Sequence, residues 1–527
     1  MIPSSVRTIA LVLGCATAHA LQTSPVVAGQ FGQQSQSPLE IGSRLEMFVD
    51  DWLIDRIEGL RREQQTPIDA EQVFGFNQPW EGRWCNYVHI FKDGDKWRMY
   101  YRGARAEFEI GEPGSSNICL AESTDGLNWT KPSLGIYEFA GTRDNNVTYI
   151  GDGTPNWYCF KDDNPDEPPQ RRYKAICKLS LGFGGPLGVM QSADGIHWKW
   201  WKKEPVISGG PLDTLHVARW DPQNKRYLAY VRNWVTRSKG FRVPPEIDAP
   251  PSEYNTWYKL GKERVRAIAL CTSTDFLNWS RQQWLVYDEN LPIEHHYTNA
   301  VTPYFRAPHI YVGFPMRYVP ERSVVAGWTK TEYPRSVGCS DSVFMSSRDG
   351  LHWDRGVAAF LRPGLDQQNW TDRNMMIAPG VVPTGPGEMS LFYVAHYGHP
   401  DCHLRRVRLR LDGFYAVTAG YPGGEFVTKP LIFSGRQLVI NYSTSAVGDI
   451  RVEIQDAKGK PVPGHTLGEA NEIVGDRIEQ TVSWKGGSDV SALAGTPIRL
   501  RFVMRDADLF SLRFVTPRHA GQSSRDP

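Results

Sequence analysis

STDGLNW (Ser123–Trp129) returns three times further along the chain, as SADGIHW (Ser192–Trp198), STDFLNW (Ser273–Trp279, with Phe276 in place of the glycine) and SRDGLHW (Ser347–Trp353). The aspartates of the four copies, Asp125, Asp194, Asp275 and Asp349, lie 69, 81 and 74 residues apart, about the length of one four-stranded antiparallel sheet with generous loops. A repeat of fixed period outranks other fold signals. Each copy sits between two β-rich runs and reads as a hairpin turn, in which the Asp carboxylate caps turn amides, Gly takes positive φ and Trp packs against the next sheet. The spacing predicts a β-propeller.

Working outward from the turns gives five blade units, each opening with a polar cluster. Blade 1 opens near Trp80-Glu81, blade 2 at Phe160-Lys161-Asp162, blade 3 at Leu212-Asp213, blade 4 at Glu294-His295-His296-Tyr297 and blade 5 at Trp370-Thr371-Asp372-Arg373-Asn374. The fifth lacks the repeat turn. Leu45 to Ile54 (LEMFVDDWLI) reads as an N-terminal strand that completes the last blade, a common device in closed propellers. After Asp412-Gly413 come short alternating strands separated by Gly, Pro and Asp turns, which suggests a β-sandwich. The expected division is therefore a propeller over 45–415 and a β-sandwich over 420–516, all-β throughout. A polar tail covers 517–527, and a Gln/Ser/Gly-rich disordered lead-in covers 21–44.

With Lys+Arg 59 against Asp+Glu 58, no charge excess draws this 527-residue chain to nucleic acid or an anionic membrane. Met1 to Ala20 carries Arg7, the apolar run Ile9 to Leu13 and Ala18-His19-Ala20, which fits a signal peptide with an A-x-A cleavage site. Export to the periplasm or medium is the expectation. Val12-Leu13-Gly14-Cys15 is a loose lipobox, the alternative being a lipid anchor at Cys15. No later apolar run approaches the ~20 residues of a membrane span. Seven further cysteines with no C-x-x-C pair argue against a disulfide framework and a structural zinc site, leaving room for one or two disulfides.

If the five openings converge at one end of the propeller, they bring Glu81, Asp162, Asp213, Glu294 and Asp372 to a common funnel. Carboxylates held close repel, so one keeps its proton at neutral pH while another stays ionised. Glycosidic cleavage uses such a pair. Each acid alone is equally well explained as a turn cap or an ion-pair member. Strands returning to the funnel end at Arg102, Arg232 and Arg317, with His396 in the same place in blade 5. These groups either neutralise the acids or bind the carboxylate or sulfate of an acidic sugar. Trp80, Trp84, Tyr297 and Trp370 beside the openings suit sugar stacking, core packing being the alternative. His216, His295 and His296 fall at openings as hydroxyl or metal contacts, and Asn299 and Arg373 complete the candidate substrate contacts. No H-E-x-x-H, G-x-S-x-G elbow, P-loop or dinucleotide fingerprint occurs. No cofactor is expected beyond a structural cation in the axial channel.

The segments NYVHIFKDGDKWRMYYRG (86–103), STDGLNWTKPSLGIYEF (123–139), DTLHVARWDPQNKRYLAYVR (213–232), YTNAVTPYFRAPHIYVGFPMRY (297–318) and SSRDGLHWDRG (346–356) resemble exported five-bladed propeller proteins related to glycoside hydrolase families 32 and 43, the invertase, levanase and arabinanase group. The resemblance covers about residues 45 to 415. It implies a secreted glycoside hydrolase acting on a poly- or oligosaccharide, a non-catalytic carbohydrate-binding or cell-surface propeller being the alternative. Family 32 sets its acids in Asn-Asp-Pro, Arg-Asp-Pro and Glu-Cys motifs. This chain has no Asn-Asp-Pro or Glu-Cys, and its one Arg-Asp-Pro is Arg525-Asp526-Pro527. By position the resemblance would give those roles to Glu81, Asp162 and Asp213, with Glu294 as an alternative acid. Fructan specificity does not follow.

Overall fold

The computed structural model describes residues 37–105, 115–139, 141–179, 185–245, 263–324 and 338–517. The signal peptide, the lipidation alternative at Cys15, residues 21–36 of the lead-in and the tail from 518 lie outside them.

Five antiparallel sheets form the blades of a propeller. Blade 1 runs from its inner strand outward as Asn86–Asp93, Lys96–Ala104, Ser116–Ser123 and Val147–Ile150. Blade 2 is Trp157–Lys161, Tyr173–Lys178, Leu187–Ser192 and Lys199–Ile207, and blade 3 is Val217–Asp221, Arg226–Thr236, Arg264–Ser273 and Gln283–Trp284. In blade 4 the inner strand is split into His295–His296 and Thr302–Tyr304 and the second into Ala307–Gly313 and Met316–Val319, followed by Cys339–Ser347 and Asp354–Leu361. Blade 5 has Met376–Ile377 and Val382–Gly385 inside, then Glu388–Ala395 and His403–Arg410.

Its outer strand is Ile68–Gly75, paired antiparallel to His403–Arg410 with His403 opposite Gly75. The closing strand is thus not Leu45 to Ile54. That segment lies between two cores. Leu45, Met47 and Val49 pack with apolar residues of blades 4 and 5, while Phe48, Leu53 and Ile54 pack under a ten-stranded terminal sheet. Its alternation recorded burial on both faces but could not say which strand it pairs with.

The terminal sheet takes four strands from before the propeller, Leu39–Gly42, Glu46–Met47, Ile54–Glu58 and Leu60–Gln64, and six from after it, including the long pair Gln437–Asp456 and Ile498–Val515. Leu39–Gly42 runs parallel to Leu431–Phe433, so the end of the expected lead-in is a strand. The strands after 420, expected as a sandwich, are hydrogen-bonded into a branched sheet with the N-terminal strands and share a single apolar core with them.

The repeat turns are built as the sequence predicts. In the first, the Asp125 Oδ1 accepts from the Leu127 and Asn128 amides, both at 2.8 Å, and the Ser123 hydroxyl accepts from the Gly126 amide at 2.9 Å. The other three repeat this pattern. The direction of packing differs from expectation: each turn meets the preceding blade. Tyr100 of blade 1 donates to the Gly195 carbonyl at 2.8 Å, and Tyr230 of blade 3 to that of Gly350 at 3.0 Å. All seven described cysteines are buried free thiols.

Candidate active site at the propeller funnel

Strand direction decides which acids can meet. In blade 2 the inner strand begins at Trp157 and ends at Lys161, where Lys161 pairs with Tyr173 and Tyr173 with Ser192, the first residue of a repeat turn. Asp162 therefore lies at the repeat-turn face. The chain enters blades 3, 4 and 5 at the other face, the funnel, through Asp213, Glu294 and Asp372. Asp162 is not brought to them, because Phe160-Lys161, expected as the opening of blade 2, closes its inner strand Trp157–Lys161, and Asp162 begins the hairpin loop that follows.

Asp162 is sealed instead. Its side chain and that of Lys174 are both 0% exposed and bonded to one another, and the Tyr227 hydroxyl donates to the same carboxylate at 2.7 Å. Glu81 is likewise enclosed, accepting from Tyr101 Oη at 2.5 Å, Lys131 Nζ at 2.7 Å and the Gln78 amide at 2.9 Å. Glu294 stands at the funnel face but turns to the outer strands. Arg317 Nη1 reaches it at 3.0 Å and Arg355 Nη1 at 2.8 Å. Arg317 also grips Asp341 through two bonds, at 2.9 and 2.6 Å, so it is neutralised twice over.

The two remaining acids share a neighbourhood. Asp213, whose side chain keeps 23% exposure, lies 3.6 Å from Lys178 Nζ and 4.0 Å from Arg232 Nη2. Burial pushes its carboxyl up, but the charges of Lys178, Arg232, Arg373 and Arg102 together outweigh burial and hold it below the ordinary aspartate range. Asp372 lies 3.3 Å from Arg373 Nε. Arg373, at positive φ, pairs with Asp372, adds to the positive charge felt by Asp213 and donates to the Tyr397 hydroxyl at 3.2 Å. The expected proton-sharing cluster of five acids is replaced by two carboxylates in a cationic setting.

Tyrosines line this centre. The Tyr87 and Tyr297 hydroxyls are 3.4 Å apart, and the Tyr297 ring has the guanidinium carbons of Arg232, Arg266 and Arg373 at 5.4, 5.5 and 5.5 Å from its centroid. Burial pushes the Tyr297 phenol up, yet Arg373 and Arg232 reverse this and draw it below its ordinary value. Tyr87 goes the other way, well above, through burial and then the negative charge of Tyr297 and Asp213. Arg102 lies over Tyr87 at 4.9 Å.

The other candidates separate by their bonds. His216 sits beside Asp213, Arg232 and Lys178, and burial pushes its imidazole down to about 3, so it is neutral. His295, also pushed down to about 3 by burial and then Arg266, has its Nδ1 3.2 Å from the Arg266 guanidinium. His296 is buried against Tyr287. His396 has both ring nitrogens committed, to Asp401 at 2.8 Å and Asp366 at 2.6 Å. Asn299 fastens the inner strand of blade 4, donating to the Tyr230 carbonyl at 3.3 Å and accepting from the Val301 amide at 3.2 Å. Trp80 is a core residue bonded to Asn146 at 2.8 Å, and Trp84 is buried against Tyr397, so neither presents a face for stacking.

Lys178, Tyr87, Tyr397 and Arg266 escaped sequence reasoning. Lys178 closes the second strand of blade 2, the place that Arg102, Arg232 and Arg317 occupy in their blades. With the blade opened at the right strand it completes that ring. Tyr87 had no such signal, lying in an apolar run. Among the described residues no group of three or more His, Cys, Asp or Glu side chains is placed to hold a metal ion, and no helix is long and apolar enough to cross a membrane.

On the opposite face a cleft of about 870 Å³ lies between blades 2 and 3, with Asp163, Glu167, Trp201 and Trp220 in its walls. Glu167 is paired to Arg171 at 2.9 Å and to Lys174 at 3.3 Å, and Arg171 lies 4.8 Å over the Trp201 ring. The funnel is the better candidate, because among the described residues it gathers Lys178, Asp213, Arg232, Asp372 and Arg373 from three blades.

Neither a protein-family profile nor a curated protein matches the chain. Among solved structures it is similar to a glycoside hydrolase at 13% identity and a TM-score of 0.42, over 66% of this chain and 92% of the other. An N-acetylgalactosamine deacetylase from F. plautii, in complex with blood group B trisaccharide, is similar at 14% identity and a TM-score of 0.40, over 68% and 97%. A family 43 arabinoxylan arabinofuranohydrolase from Bacillus subtilis is similar at 12% identity and a TM-score of 0.37, over 86% and 99%.

Proposed function

We propose that the protein is a glycoside hydrolase whose funnel holds a poly- or oligosaccharide at Asp213 and Asp372. One observation carries this: at the funnel face the paired cations of Asp213 and Asp372 stand off at 3.6 and 3.3 Å, whereas Glu81, Asp162 and Glu294 are each locked to a cation at 3.0 Å or less. Asp213, kept ionised by its cations, suits the carboxylate that attacks the anomeric carbon or activates water. Asp372 is the second carboxyl group of the pair. Tyr87, Tyr297 and Tyr397 offer hydroxyls and ring edges to a sugar.

Asp213→Asn and Asp372→Asn should each lower the release of reducing sugar from a responsive glycan by about 10²–10⁴-fold. Unchanged rates in both variants remove the assignment. A second reading, carbohydrate binding without catalysis, draws on the engagement of Glu81, Asp162 and Glu294 in ion pairs. Binding across a glycan panel with no released sugar from any member would favour it. The proposal calls for no cofactor, and the cations around Asp213 disfavour a structural metal ion at the funnel floor. It also places the protein outside the cytoplasm, through processing after Ala20 or lipidation at Cys15, which mass spectrometry of the mature N-terminus would decide.

A further inference from the structure

We infer that His396 is a positioning residue whose imidazolium clamps the loop carrying Asp372 and Arg373, so that the funnel site is held in place while His396 is protonated and slackens when it is not. This rests on the reading of the funnel as a glycan site and names the regulation of that site.

Two loops meet at the funnel face of blade 5. One runs from Leu361, the end of blade 4, to Met376 and carries Asp366, Asp372 and Arg373. The other joins Glu388–Ala395 to His403–Arg410 and carries His396 and Asp401. The His396 ring, 8% exposed, stands between two carboxylates, with Nδ1 2.8 Å from Asp401 and Nε2 2.6 Å from Asp366. Burial pushes the Asp366 carboxyl up, but the bonds from His396 and the Gln368 amide outweigh it and hold it below the ordinary aspartate range. An ionised carboxylate only accepts, so a ring bonded to one through each nitrogen carries both protons.

The other groups facing the ring leave the charge on it. His403 and His399 lie 4.7 and 6.1 Å away, ring to ring. Burial pushes both imidazoles below their ordinary value, and the charge of His396 pushes them further. His403 gives its Nδ1 proton to the Asp401 carbonyl at 2.7 Å. The cations acting on the cluster are Arg83 and Arg405, the latter paired with Asp69 at 2.9 Å.

Once the proton leaves, one ring nitrogen turns a lone pair on a carboxylate oxygen, and only one of the two bonds survives. Without the Asp366 bond the loops part. Without the Asp401 bond the ring is no longer held to face Asp366. Either loss reaches the site through short links. Asn369 Oδ1 accepts from the His396 amide at 3.2 Å, Asn374 Oδ1 from the Tyr397 amide at 2.8 Å, and Arg373 donates to the Tyr397 hydroxyl at 3.2 Å. Asp372 and Arg373 thus sit between two fastenings of their loop to His396-Tyr397. His396 itself is kept at φ 55, a left-handed conformation that a β-carbon disfavours and that persists where the surroundings impose it.

The test follows the full-length protein from about pH 5 to about pH 9 by two readouts. One is amide hydrogen exchange of residues 363–374, corrected for the intrinsic rate at each pH, and the other is kcat/KM on a responsive glycan. The loop should exchange at least about tenfold faster at the alkaline end, and kcat/KM should fall about tenfold over the same interval. His396→Gln should show the fast exchange at every pH. Asp366→Asn should stay slow at the alkaline end, because its carbonyl keeps the Gln368 amide, now held by Asp366 Oδ1 at 3.0 Å, while its amide donates to a neutral ring. Should His396→Gln fail to fold, the pH series and Asp366→Asn carry the test. Exchange independent of pH in the unaltered protein overturns the inference, as does an alkaline loosening that persists in Asp366→Asn. A loop that loosens while kcat/KM stays level overturns the positioning role. A pH-dependent loop with no sugar released from any glycan removes the hydrolase reading and leaves the clamp standing. Sugar release with a level loop does the reverse.

Discussion

Asp162 and Asp213 are one residue type in opposite service, and their surroundings say what each substitution should do. Asp162 gives its carboxylate to Lys174, whose ammonium has no exposure, and to Tyr227. Removing one partner of a buried pair leaves the other charge stranded, typically a loss of about 3–5 kcal/mol. Asp162→Asn should therefore lower stability to denaturant by that order without changing kcat/KM of the folded protein. A selective loss of kcat in a fully stable variant would return Asp162 to the active site. Asp213→Asn should abolish activity and cost less stability than Asp162→Asn, because the cations around Asp213 lie 3.6 and 4.0 Å away and its carboxylate keeps 23% exposure. Because its cations hold Asp213 below the ordinary aspartate value of 3.8, a rate that needs the ionised form should stay level down to pH 3.8 and fall only below it. The sign for stability is the same: the contribution of a depressed carboxyl is present above its unfolded value and lost as pH falls through the folded one. An acid limb at pH 5 to 6 in kcat/KM would contradict the assignment of Asp213 as the ionised group.

At the scale of the element, the repeat turn was legible down to its hydrogen bonds, since Ser, Asp and Gly at fixed offsets satisfy one another within seven residues. What it touches was not, because the partner lies a blade away in space and some seventy or more positions away in sequence. Phe276 shows the consequence. It stands where the other turns have glycine, at φ 66, fully buried, with ring centroids 5.1 Å from Tyr227, 5.3 Å from Trp279 and 5.7 Å from Phe160. It wedges blade 3 onto blade 2 in an unfavourable backbone region. Phe276→Ala should cost about 3–5 kcal/mol for the emptied site. Phe276→Gly should cost about 1 kcal/mol less than Ala, because glycine relieves the left-handed strain. Chemical denaturation of the two variants checks the order, and a greater loss for Gly would show that the backbone there is not strained. Blade 2 marks the limit of reading by element. Phe160-Lys161-Asp162 has the polar, acidic look of a blade opening, yet an inner-strand hairpin loop has the same composition, and only strand pairing tells the two apart.

For the molecule as a whole, acid should act through the histidines before the carboxylates. Burial pushes His89, His216 and His295 down to about 3, so the unfolded chain takes up protons from about pH 6.5 while the folded one refuses them. Stability is full above 6.5 and falls as pH drops toward 3, by about 1.4 kcal/mol per histidine at pH 5.5. The melting temperature should decline between pH 7 and 5.5, and His89→Gln should flatten part of that slope. A level profile would mean that these rings are not neutral in the fold.

The larger question of scale is how the propeller and the terminal sheet act as one compact unit. Asp412-Gly413 was readable as the boundary turn, but not as the bolt. The Asp412 carboxylate, with no exposure, accepts from Tyr304 Oη at 2.7 Å and Arg306 Nη1 at 2.9 Å on blade 4, and from Ser511 Oγ at 2.7 Å and Asn441 Nδ2 at 3.1 Å on the terminal sheet. Four donors converge on two oxygens, so an amide in its place both loses the charge facing Arg306 and points its own donors at donors. Asp412→Asn should cost about 3–5 kcal/mol, the toll of an unanswered buried charge. Because the bonds lost are those between the two bodies, the loss should also divide the melt, with the propeller and the terminal sheet unfolding in separate calorimetric transitions where the unaltered protein shows one. A variant melting in a single transition within about 0.5 kcal/mol of the original would place the cohesion elsewhere, in the apolar seam of Leu45, Met47 and Val49.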